Sequence, residues 1–229
     1  VSISLSMLLQ HRGGFTDSFG FCGLDRDALT SHANNECDHC FDYWSSNKIN
    51  QYHYSGCGYW MIQQLLEKRF GCSFSQLLDH WLFSPLGMTQ TTCTVTASCL
   101  GVASGHDCFT QPIAGGWHQF PDCEAAAGIW SSAEDLSRLI EHLLSPSVDC
   151  GLCPRLRWND LVVDEKKFGY HYGLIRRKYK SRVLYSHTGI NPGYQSYVHI
   201  EPDRGKALLL LSNKEDLKDL PSLLVNLSI

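Results

Sequence analysis

The sequence predicts an α+β fold, in which helices come first and an antiparallel sheet follows. Up to residue 144, apolar residues recur at the three- and four-residue spacing of helices, whereas from residue 168 onward the apolar period is two. The turn sequence Glu-Pro-Asp-Arg-Gly at residues 201–205 lies between two of the period-two segments and predicts a hairpin. Strands joined by hairpins pair antiparallel, so we expect a meander in the second half of the chain.

Four helices are predicted in the first half, over residues 6–10, residues 59–70, a segment entered through residues 73–76, and residues 133–144. Gly71 is a typical stop for the second helix. Ser73 and Gln76 have the spacing of a capping box and predict the start of the third. Ser131 and Glu134 have the same spacing ahead of the fourth, whose leucine and isoleucine residues form one apolar stripe.

Four strands are predicted in the second half, over residues 169–175, 183–187, 194–200 and 207–211. Residues 208–211 are all leucine, which is typical of a central strand covered on both faces. Asp219 begins a segment that predicts a closing helix. The basic run at residues 176–182 falls between two predicted strands, where a solvated loop is the simplest interpretation and contact with a polyanion is the alternative.

Two segments show little periodicity and predict loops, over residues 22–53 and 89–120. The first is polar and rich in cysteine, histidine and asparagine, and we expect Tyr43 and Trp44 to anchor it. No Pro/Gly/Ser linker long enough to separate domains interrupts the chain. We therefore expect residues 1–229 to form one domain.

The composition excludes several classes of protein. The chain has 229 residues, 43% of them hydrophobic and 18% charged, which is an ordinary globular balance. Its formal net charge of −4 argues against a dedicated nucleic-acid binder. No apolar run is long enough to predict a membrane span, and the first residues lack the pattern of a signal peptide. The sequence does not begin with methionine, so we expect a fragment or a processed product.

The cysteine content leaves three alternatives open. There are 11 cysteines, an odd number that cannot pair completely within the chain. They could form disulfides in an oxidising compartment, or remain buried or free thiols. Two Cys-x-x-Cys pairs, Cys37/Cys40 and Cys150/Cys153, could supply a structural zinc site, although their separation is much greater than in a compact zinc module.

The first candidate for chemistry is Tyr54-Ser55-Gly56, directly ahead of the helix predicted over residues 59–70. A tyrosine at a helix entry can project its phenol into a cleft. Beside a cation, the phenol could ionise below its usual pKa of roughly 10 and act as a general base. A structural tyrosine packed at the helix entry is the alternative.

The second candidate is His187-Thr188-Gly189-Ile190, at the end of a predicted strand. Glycine lets a ligand approach the strand edge, and the Thr188 hydroxyl and the His187 imidazole can bind a carboxylate or relay a proton. The backbone N–H just after Gly189 is placed to stabilise an oxyanion. An ordinary strand end with a hydrogen-bonded histidine is the alternative. Gly193 begins a third segment that returns close to the second.

Five segments, in order along nearly the whole chain, resemble motifs of the serine β-lactamase and penicillin-binding-protein superfamily, with the class C-type enzymes and their esterase and peptidase relatives as the nearest branch. They are Met7-Leu-Leu-Gln-His-Arg-Gly-Gly-Phe15, Tyr54-Ser-Gly-Cys-Gly-Tyr59, Ser84-Pro-Leu-Gly-Met-Thr-Gln-Thr91, Ala126-Ala-Gly-Ile-Trp-Ser-Ser-Ala-Glu-Asp-Leu136 and His187-Thr-Gly-Ile-Asn-Pro-Gly193.

The resemblance implies an antiparallel sheet flanked by helices, beside a helical subdomain. It implies a serine hydrolase that forms an acyl-enzyme with a β-lactam, a D-Ala peptide or a small ester, in which Tyr54 and His187 are catalytic. Gly56, Thr188, Gly189 and Ile190 would contact the substrate. No cofactor and no metal in the catalytic site are implied. The partner is a small-molecule or peptide acyl substrate, and the sequence does not predict the oligomeric state. A periplasmic or secreted location is favoured weakly by the family and by the cysteine content.

The family's Ser-x-x-Lys nucleophile motif precedes the segment that resembles residues 7–15, and the six residues before Met7 do not contain it. Ser45 and Lys48 have the spacing but lie between the first and second motifs, whereas Ser212 and Lys214 have the wrong spacing. We therefore expect a partial domain that lacks the first strands and the nucleophile helix.

Three functional hypotheses follow from these observations. The chain is an inactive part of a serine hydrolase, a non-catalytic relative used for binding or as a scaffold, or a metal-binding module that uses Cys37, Cys40, Cys150 and Cys153. The second is favoured by Gly56, which replaces the asparagine of the family motif.

Overall fold

The computed structural model describes residues 2–17, 37–96, 99, 101–120, 123–144, 169–171, 173–179 and 181–215. The α-helices are α1 (Leu5–Leu9), α2 (Gly56–Phe70), α3 (Phe74–Leu78), α4 (Ser84–Leu86), α5 (Glu124–Ala127) and α6 (Ala133–Leu144). The strands are β1 (Gly13–Phe15), β2 (Trp44–Ile49), β3 (Gly169–His171), β4 (Leu174–Tyr179), β5 (Arg182–Asn191), β6 (Tyr194–Glu201) and β7 (Lys206–Ser212). Short 3-10 helices cover Cys37–Tyr43 and Pro202–Arg204, and one π-helical turn covers Asp79–Phe83.

The predicted α+β class is confirmed. A five-stranded sheet in the order β3-β4-β5-β6-β7 is antiparallel throughout, and helices precede it in the chain. The predicted hairpin after β6 is present, with Gly205 in the left-handed conformation at φ 58°. Within the part of the chain that the structure describes, no helix is long and apolar enough to cross a membrane.

The predicted helices are present with small changes at their ends. The Ser73–Gln76 capping box has both of its reciprocal hydrogen bonds, and Gly71 ends α2 at φ 68°. The capping prediction for α6 is wrong by one residue, because the Ser132 hydroxyl, not Ser131, accepts from the backbone N–H of Asp135 at 3.1 Å. The helix predicted from Asp219 lies outside the described residues.

Several strand predictions are corrected. The segment predicted as one strand over 169–175 is a hairpin, since Gly173 turns the chain at φ 93° between β3 and β4. The first part of the basic run is strand β4 rather than a loop. Only the first three residues of β4 pair with β3. Arg177 and Lys178 lie beyond this pairing and are exposed. Charged residues are common on such an edge because they discourage pairing with another chain.

The leucine-rich strand β7 was predicted to be central, and this prediction is wrong for the described sheet. β7 lies at the end of that sheet, beside β6. Leu211 is accordingly 42% exposed. The loop predicted over 22–53 also contains regular structure, because its last part is strand β2. β2 pairs with β1, and the indole N–H of Trp44 donates to the carbonyl of Gly13 at 3.1 Å, so the predicted anchoring by Trp44 is present.

Two apolar clusters join the helices. The first combines α1, β1, the 3-10 helix and α2, through Leu8, Phe15, Cys40, Cys57 and Ile62. The second combines the end of the π-helical turn with α6, through the buried residues Phe83, Met88 and Cys93 and the partly buried residues Leu136 and Leu139. Burial raises the pKa of the Cys93 thiol to about 11, so it is protonated at neutral pH.

Asp135 joins α6 to the segment that follows α4. Its side chain is 2% exposed and accepts hydrogen bonds from the backbone N–H of Gln90 at 2.7 Å and from the Thr91 hydroxyl at 2.8 Å. Two of the five motifs therefore meet at one buried carboxylate.

We expect Asp135→Ala to lower the free energy of unfolding by about 2–4 kcal/mol, because it removes a buried acceptor of the Gln90 backbone N–H and one of the two partners of the Thr91 hydroxyl. Urea denaturation followed by circular dichroism measures the change. Glu134→Ala is the matched control, since Glu134 forms only an exposed ion pair with Arg138 and its loss should cost about 1 kcal/mol or less. Equal effects of the two substitutions would contradict this role for Asp135.

Candidate active site

The Tyr54-Ser55-Gly56 segment is the entry to helix α2. Ser55 is the N-cap in an extended conformation, and its hydroxyl accepts from the backbone N–H of Gly58 at 3.0 Å. Gly56 is the first helical residue and is buried. The first turn of α2 is therefore held by side-chain acceptors, and Tyr54 is fixed directly before it.

His11 holds the same segment from the other side. Its backbone is in the left-handed region at φ 55°, and its ring Nδ1 accepts from the backbone N–H of Ser55 at 3.0 Å. An Nδ1 that accepts requires the neutral imidazole with its proton on Nε2. Burial lowers the pKa of His11 to about 4, with a smaller contribution from His187, so the ring is neutral at pH 7.

His187 lies on β5, the central strand of the described sheet. Its Nε2 is 2.7 Å from the hydroxyl of Tyr170, which stands on β3. Burial lowers the pKa of His187, so this imidazole is also neutral near pH 7. The sheet therefore presents an uncharged histidine whose outer nitrogen is already hydrogen-bonded to a phenol.

Tyr54 and His187, which the sequence proposed as partners, lie close together in the fold. Their ring centroids are 6.4 Å apart, and the Tyr54 ring lies 4.4 Å from His11 and 5.9 Å from Tyr170. We call the rings of His11, Tyr52, Tyr54, Tyr59, Tyr170 and His187 the aromatic cluster. The juxtaposition is present, and the catalytic roles of the two residues stay predictions.

The described residues do not lower the pKa of Tyr54, as a neighbouring cation would. Burial raises the pKa of Tyr54, and the nearby carboxyl group of Asp17 raises it further. Burial also raises the pKa values of Tyr59 and Tyr170. The phenols of the cluster are therefore protonated at neutral pH and can donate hydrogen bonds.

Thr188, Gly189 and Ile190 continue β5 beyond His187. They pair with Tyr197, Ser196 and Gln195 of β6, whereas the pairing of β5 with β4 ends at Ser186. The other edge of this stretch has no strand partner in the described sheet, and Thr188 and Ile190 are exposed. An added Cβ at Gly189 would clash with the Ser196 hydroxyl, so a larger residue would require the Ser196 side chain to move.

The end of β5 is fixed by two hydrogen bonds. The Asn191 side-chain amide donates to the carbonyl of Ala127 at 3.1 Å, and the backbone N–H of Gly193 donates to the buried Glu215 at 2.8 Å. Gly193 turns the chain into β6 at φ 81°, as predicted for the third segment. Binding by Gly56, Thr188, Gly189 and Ile190 stays a prediction.

The structure shows where some of the candidate nucleophile and metal-binding residues lie. Ser45 and Lys48 lie on strand β2, where residues three apart point to opposite faces, so they do not form the helical Ser-x-x-Lys pair. Within the described ranges, no group of three or more His, Cys, Asp or Glu side chains could hold a metal ion. Cys150 and Cys153 lie outside these ranges, so the zinc hypothesis is not tested.

Sequence reasoning missed three residues of the site. The ring of His11 was interpreted only as part of a helix break and of a motif. Tyr170 was placed on a strand without a role. Asp17, whose carboxylate accepts from Gly56 and Cys57, was not singled out. The only available sign was its type and position, a carboxylate six residues after His11, and nothing local connects it to a helix that begins at residue 56.

The neutral His11 makes stability depend on pH. Its folded pKa of about 4 is below the unfolded value of 6.5, so the unfolded chain binds one more proton between these values. The stability that depends on neutral His11 is fully present above pH 6.5 and is lost as the pH falls toward 4. Between pH 7 and pH 5 the loss is on the order of 2 kcal/mol.

His11→Asn tests this dependence, since asparagine tolerates the left-handed backbone and offers an oxygen near the position of Nδ1. We expect the variant to lose less stability than the wild type between pH 7 and pH 5, measured by urea denaturation at each pH. His80→Asn, at an exposed position, should behave like the wild type. A variant as pH-sensitive as the wild type would show that His11 is not the responsible group.

Comparison with known proteins places the chain. The Beta-lactamase family model matches residues 1–225. Protein Rv1367c of Mycobacterium tuberculosis (strain ATCC 25618 / H37Rv) is 28% identical over 169 residues, which are 59% of this chain and 42% of that protein. The match thus spans less than half the length of this curated relative.

Two solved structures show the same fold. A class C beta-lactamase from Rhodobacter sphaeroides has a TM-score of 0.71 at 16% identity, over 97% of this chain and 73% of its own. The D-amino acid amidase from Ochrobactrum anthropi SV3, complexed with D-phenylalanine, has a TM-score of 0.63 at 23% identity, over 93% of this chain and 65% of its own. Together with the family match over nearly its whole length, these findings show that the chain belongs to the Beta-lactamase family.

Proposed function

We propose that this chain carries the proton-transfer and carbonyl-binding part of a serine hydrolase site that cleaves an amide or ester, such as a β-lactam, a D-Ala peptide or a small ester. The observation that supports this most is the 6.4 Å separation of the Tyr54 and His187 rings, beside a β5 edge without a strand partner in the described sheet. Acyl transfer needs a proton-transfer group and an oxyanion donor next to one carbonyl.

Tyr54 is the proton-transfer group in this proposal. Its raised pKa keeps the phenol protonated at rest, so it can give its proton to the leaving nitrogen or oxygen as the acyl bond breaks. A lysine ammonium brought beside it would lower the pKa again and allow the phenolate to act as a base. The described residues supply the phenol. The lysine is proposed to belong to the same part of the protein as the nucleophile.

The β5 edge is the carbonyl-binding element. A backbone N–H after Gly189 would donate to the oxyanion, and the strand edge would pair with an extended peptide or amide side chain. His187 keeps its Nε2 on the Tyr170 hydroxyl, so it would orient Tyr170 and offer hydrogen bonding without a positive charge. The site would thus prefer an uncharged acyl group beside His187.

The nucleophile is proposed to come from polypeptide outside residues 1–229. The only Ser-x-x-Lys string in the chain is on β2, where its two side chains face opposite ways. This chain would therefore not turn over substrate by itself.

A binding-only protein is the second candidate, and Gly56 favours it. The matching family position holds an asparagine, whose amide would contact the substrate. Here position 56 has no polar side-chain group, and its backbone N–H donates to Asp17. A site without this amide would hold an acyl ligand with fewer contacts and could serve recognition without turnover.

Covalent labelling of the complete gene product with fluorescent penicillin and a fluorophosphonate decides between the two. We expect labelling of the wild type and a labelling rate lower by about 100-fold or more in Tyr54→Phe, because the phenolic proton is lost. The readout is labelled protein on a gel against time.

Tyr43→Phe is the control, since Tyr43 packs against the first apolar cluster and is not one of the rings of the aromatic cluster, and it should label at the wild-type rate. The chain of residues 1–229 alone should not be labelled. Absence of label in the wild-type gene product, with micromolar ligand binding by calorimetry, would contradict the hydrolase and support the binding protein.

A further inference from the structure

Among the described residues, Asp17 is the buried carboxyl group that contacts the segment after Tyr54, and the proposed acyl transfer does not involve it. The residue is 7% exposed, although it lies between β1 and a stretch that the structure does not describe. A buried carboxyl group is costly unless hydrogen bonds or charges compensate it. Its partners therefore indicate what it does.

The Asp17 carboxylate binds the N-terminus of helix α2. Oδ2 accepts from the backbone N–H of Gly56 at 2.8 Å and from that of Cys57 at 3.2 Å. With Ser55 capping Gly58, the first three N–H groups of the helix all have side-chain acceptors. The positive end of the helix dipole favours the ionised carboxylate at this place.

The second oxygen of the carboxylate is not compensated in the same way. Oδ1 is buried and has no hydrogen-bond partner of good geometry within the described part of the chain. Burial opposes ionisation of Asp17 and raises its pKa, whereas hydrogen bonds from the Ser55 side chain and the Cys57 backbone N–H favour ionisation. When Asp17 is ionised, its negative charge acts on the groups nearby, and it raises the pKa of Tyr54 in addition to the effect of burial.

Asp17 and His11 hold the Tyr54 segment together. His11 accepts from the N–H of Ser55, and Asp17 accepts from the next two N–H groups. Both side chains belong to residues 11–17, which precede strand β2 in the sequence. Three consecutive backbone donors after Tyr54 are thus fixed by two side chains that lie about forty residues earlier.

We infer that Asp17 is a positioning residue for Tyr54, which fixes the backbone that carries the phenol and keeps a negative charge beside it. The inference rests on the proposed function only where it concerns acyl transfer. The other groups around the phenol are uncharged at neutral pH, namely His11, Tyr170 and His187 of the aromatic cluster. Among the described residues, Asp17 is therefore the carboxyl group whose charge acts on Tyr54.

Nuclear magnetic resonance of the chain labelled with [13Cζ]tyrosine tests the inference without any activity. The Tyr54 signal is the one absent from Tyr54→Phe. Asp17→Asn keeps an acceptor for the helix N–H groups but removes the charge, so the Tyr54 phenol should titrate about one pH unit lower than in the wild type. Asp203→Asn, in the turn between β6 and β7, removes the same charge away from α2 and should leave the midpoint unchanged.

A Tyr54 midpoint that is the same in Asp17→Asn and in the wild type would overturn the inference. If Asp17→Asn does not fold, acid titration of the wild type replaces it. The amide protons of Gly56 and Cys57 should shift as Asp17 takes a proton, and the Tyr54 signal should move with the same midpoint. A Tyr54 signal that follows only the His11 titration would contradict the inference.

The complete gene product separates this inference from the proposed function. In Asp17→Asn, the pH midpoint of the labelling rate should shift by as much as the Tyr54 midpoint does. If the wild-type gene product is never labelled, the hydrolase proposal fails, and the resonance experiment still decides the role of Asp17.

Discussion

The hydrogen bond from the backbone N–H of Ser55 to Nδ1 of His11 is the contact on which the candidate site depends. It joins the break after α1 to the entry of α2, and it requires His11 to be neutral and left-handed. Without it, Tyr54 would lose its fixed relation to β5, because the segment before a helix has no ladder hydrogen bonds of its own. The adjacent Asp17 contacts extend the same arrangement into the first turn of the helix.

The site that results is aromatic and largely uncharged. Burial keeps His11 and His187 neutral and keeps the phenols protonated, so the cluster offers hydrogen bonds rather than ion pairs. Such an arrangement suits a reaction in which charge develops only in the transition state, because preorganised dipoles then act where charge appears. The same arrangement also suits the binding of a neutral ligand. The hydrolase hypothesis and the binding hypothesis therefore differ only in whether covalent labelling is expected.

The sequence predicted most of the fold wherever the signal was local. Helix α2 was found from its apolar spacing and from Gly71, and β6 and β7 from their period of two. The start of α2 was placed three residues late, because Gly56-Cys57-Gly58 has poor helix propensity and becomes helical through Asp17, 39 residues away. Strand β2 was missed for the same reason, since its partner β1 lies far earlier in the chain and its residues are polar.

The candidate site was predictable in outline and not in its electrostatics. The motif order placed Tyr54 and His187 in one site, and their proximity follows the family resemblance. The hydrogen bond between the Tyr170 hydroxyl and His187 depends on the β3–β4 hairpin. The sequence pattern of this hairpin predicted a single strand. The charged group that acts on Tyr54 is the carboxyl group of Asp17, and its hydrogen bonds to the start of α2 are tertiary contacts that no local pattern encodes.

The most direct measurement of the central claim is a crystal structure of the complete gene product after reaction with a boronic acid that mimics the acyl-transfer transition state. The account predicts a boronate within hydrogen-bond distance of the Tyr54 hydroxyl, with one boronate oxygen facing the backbone of β5 next to Gly189. A boronate bound elsewhere, or a structure in which the Tyr54 and His187 rings belong to separate surfaces, would contradict it.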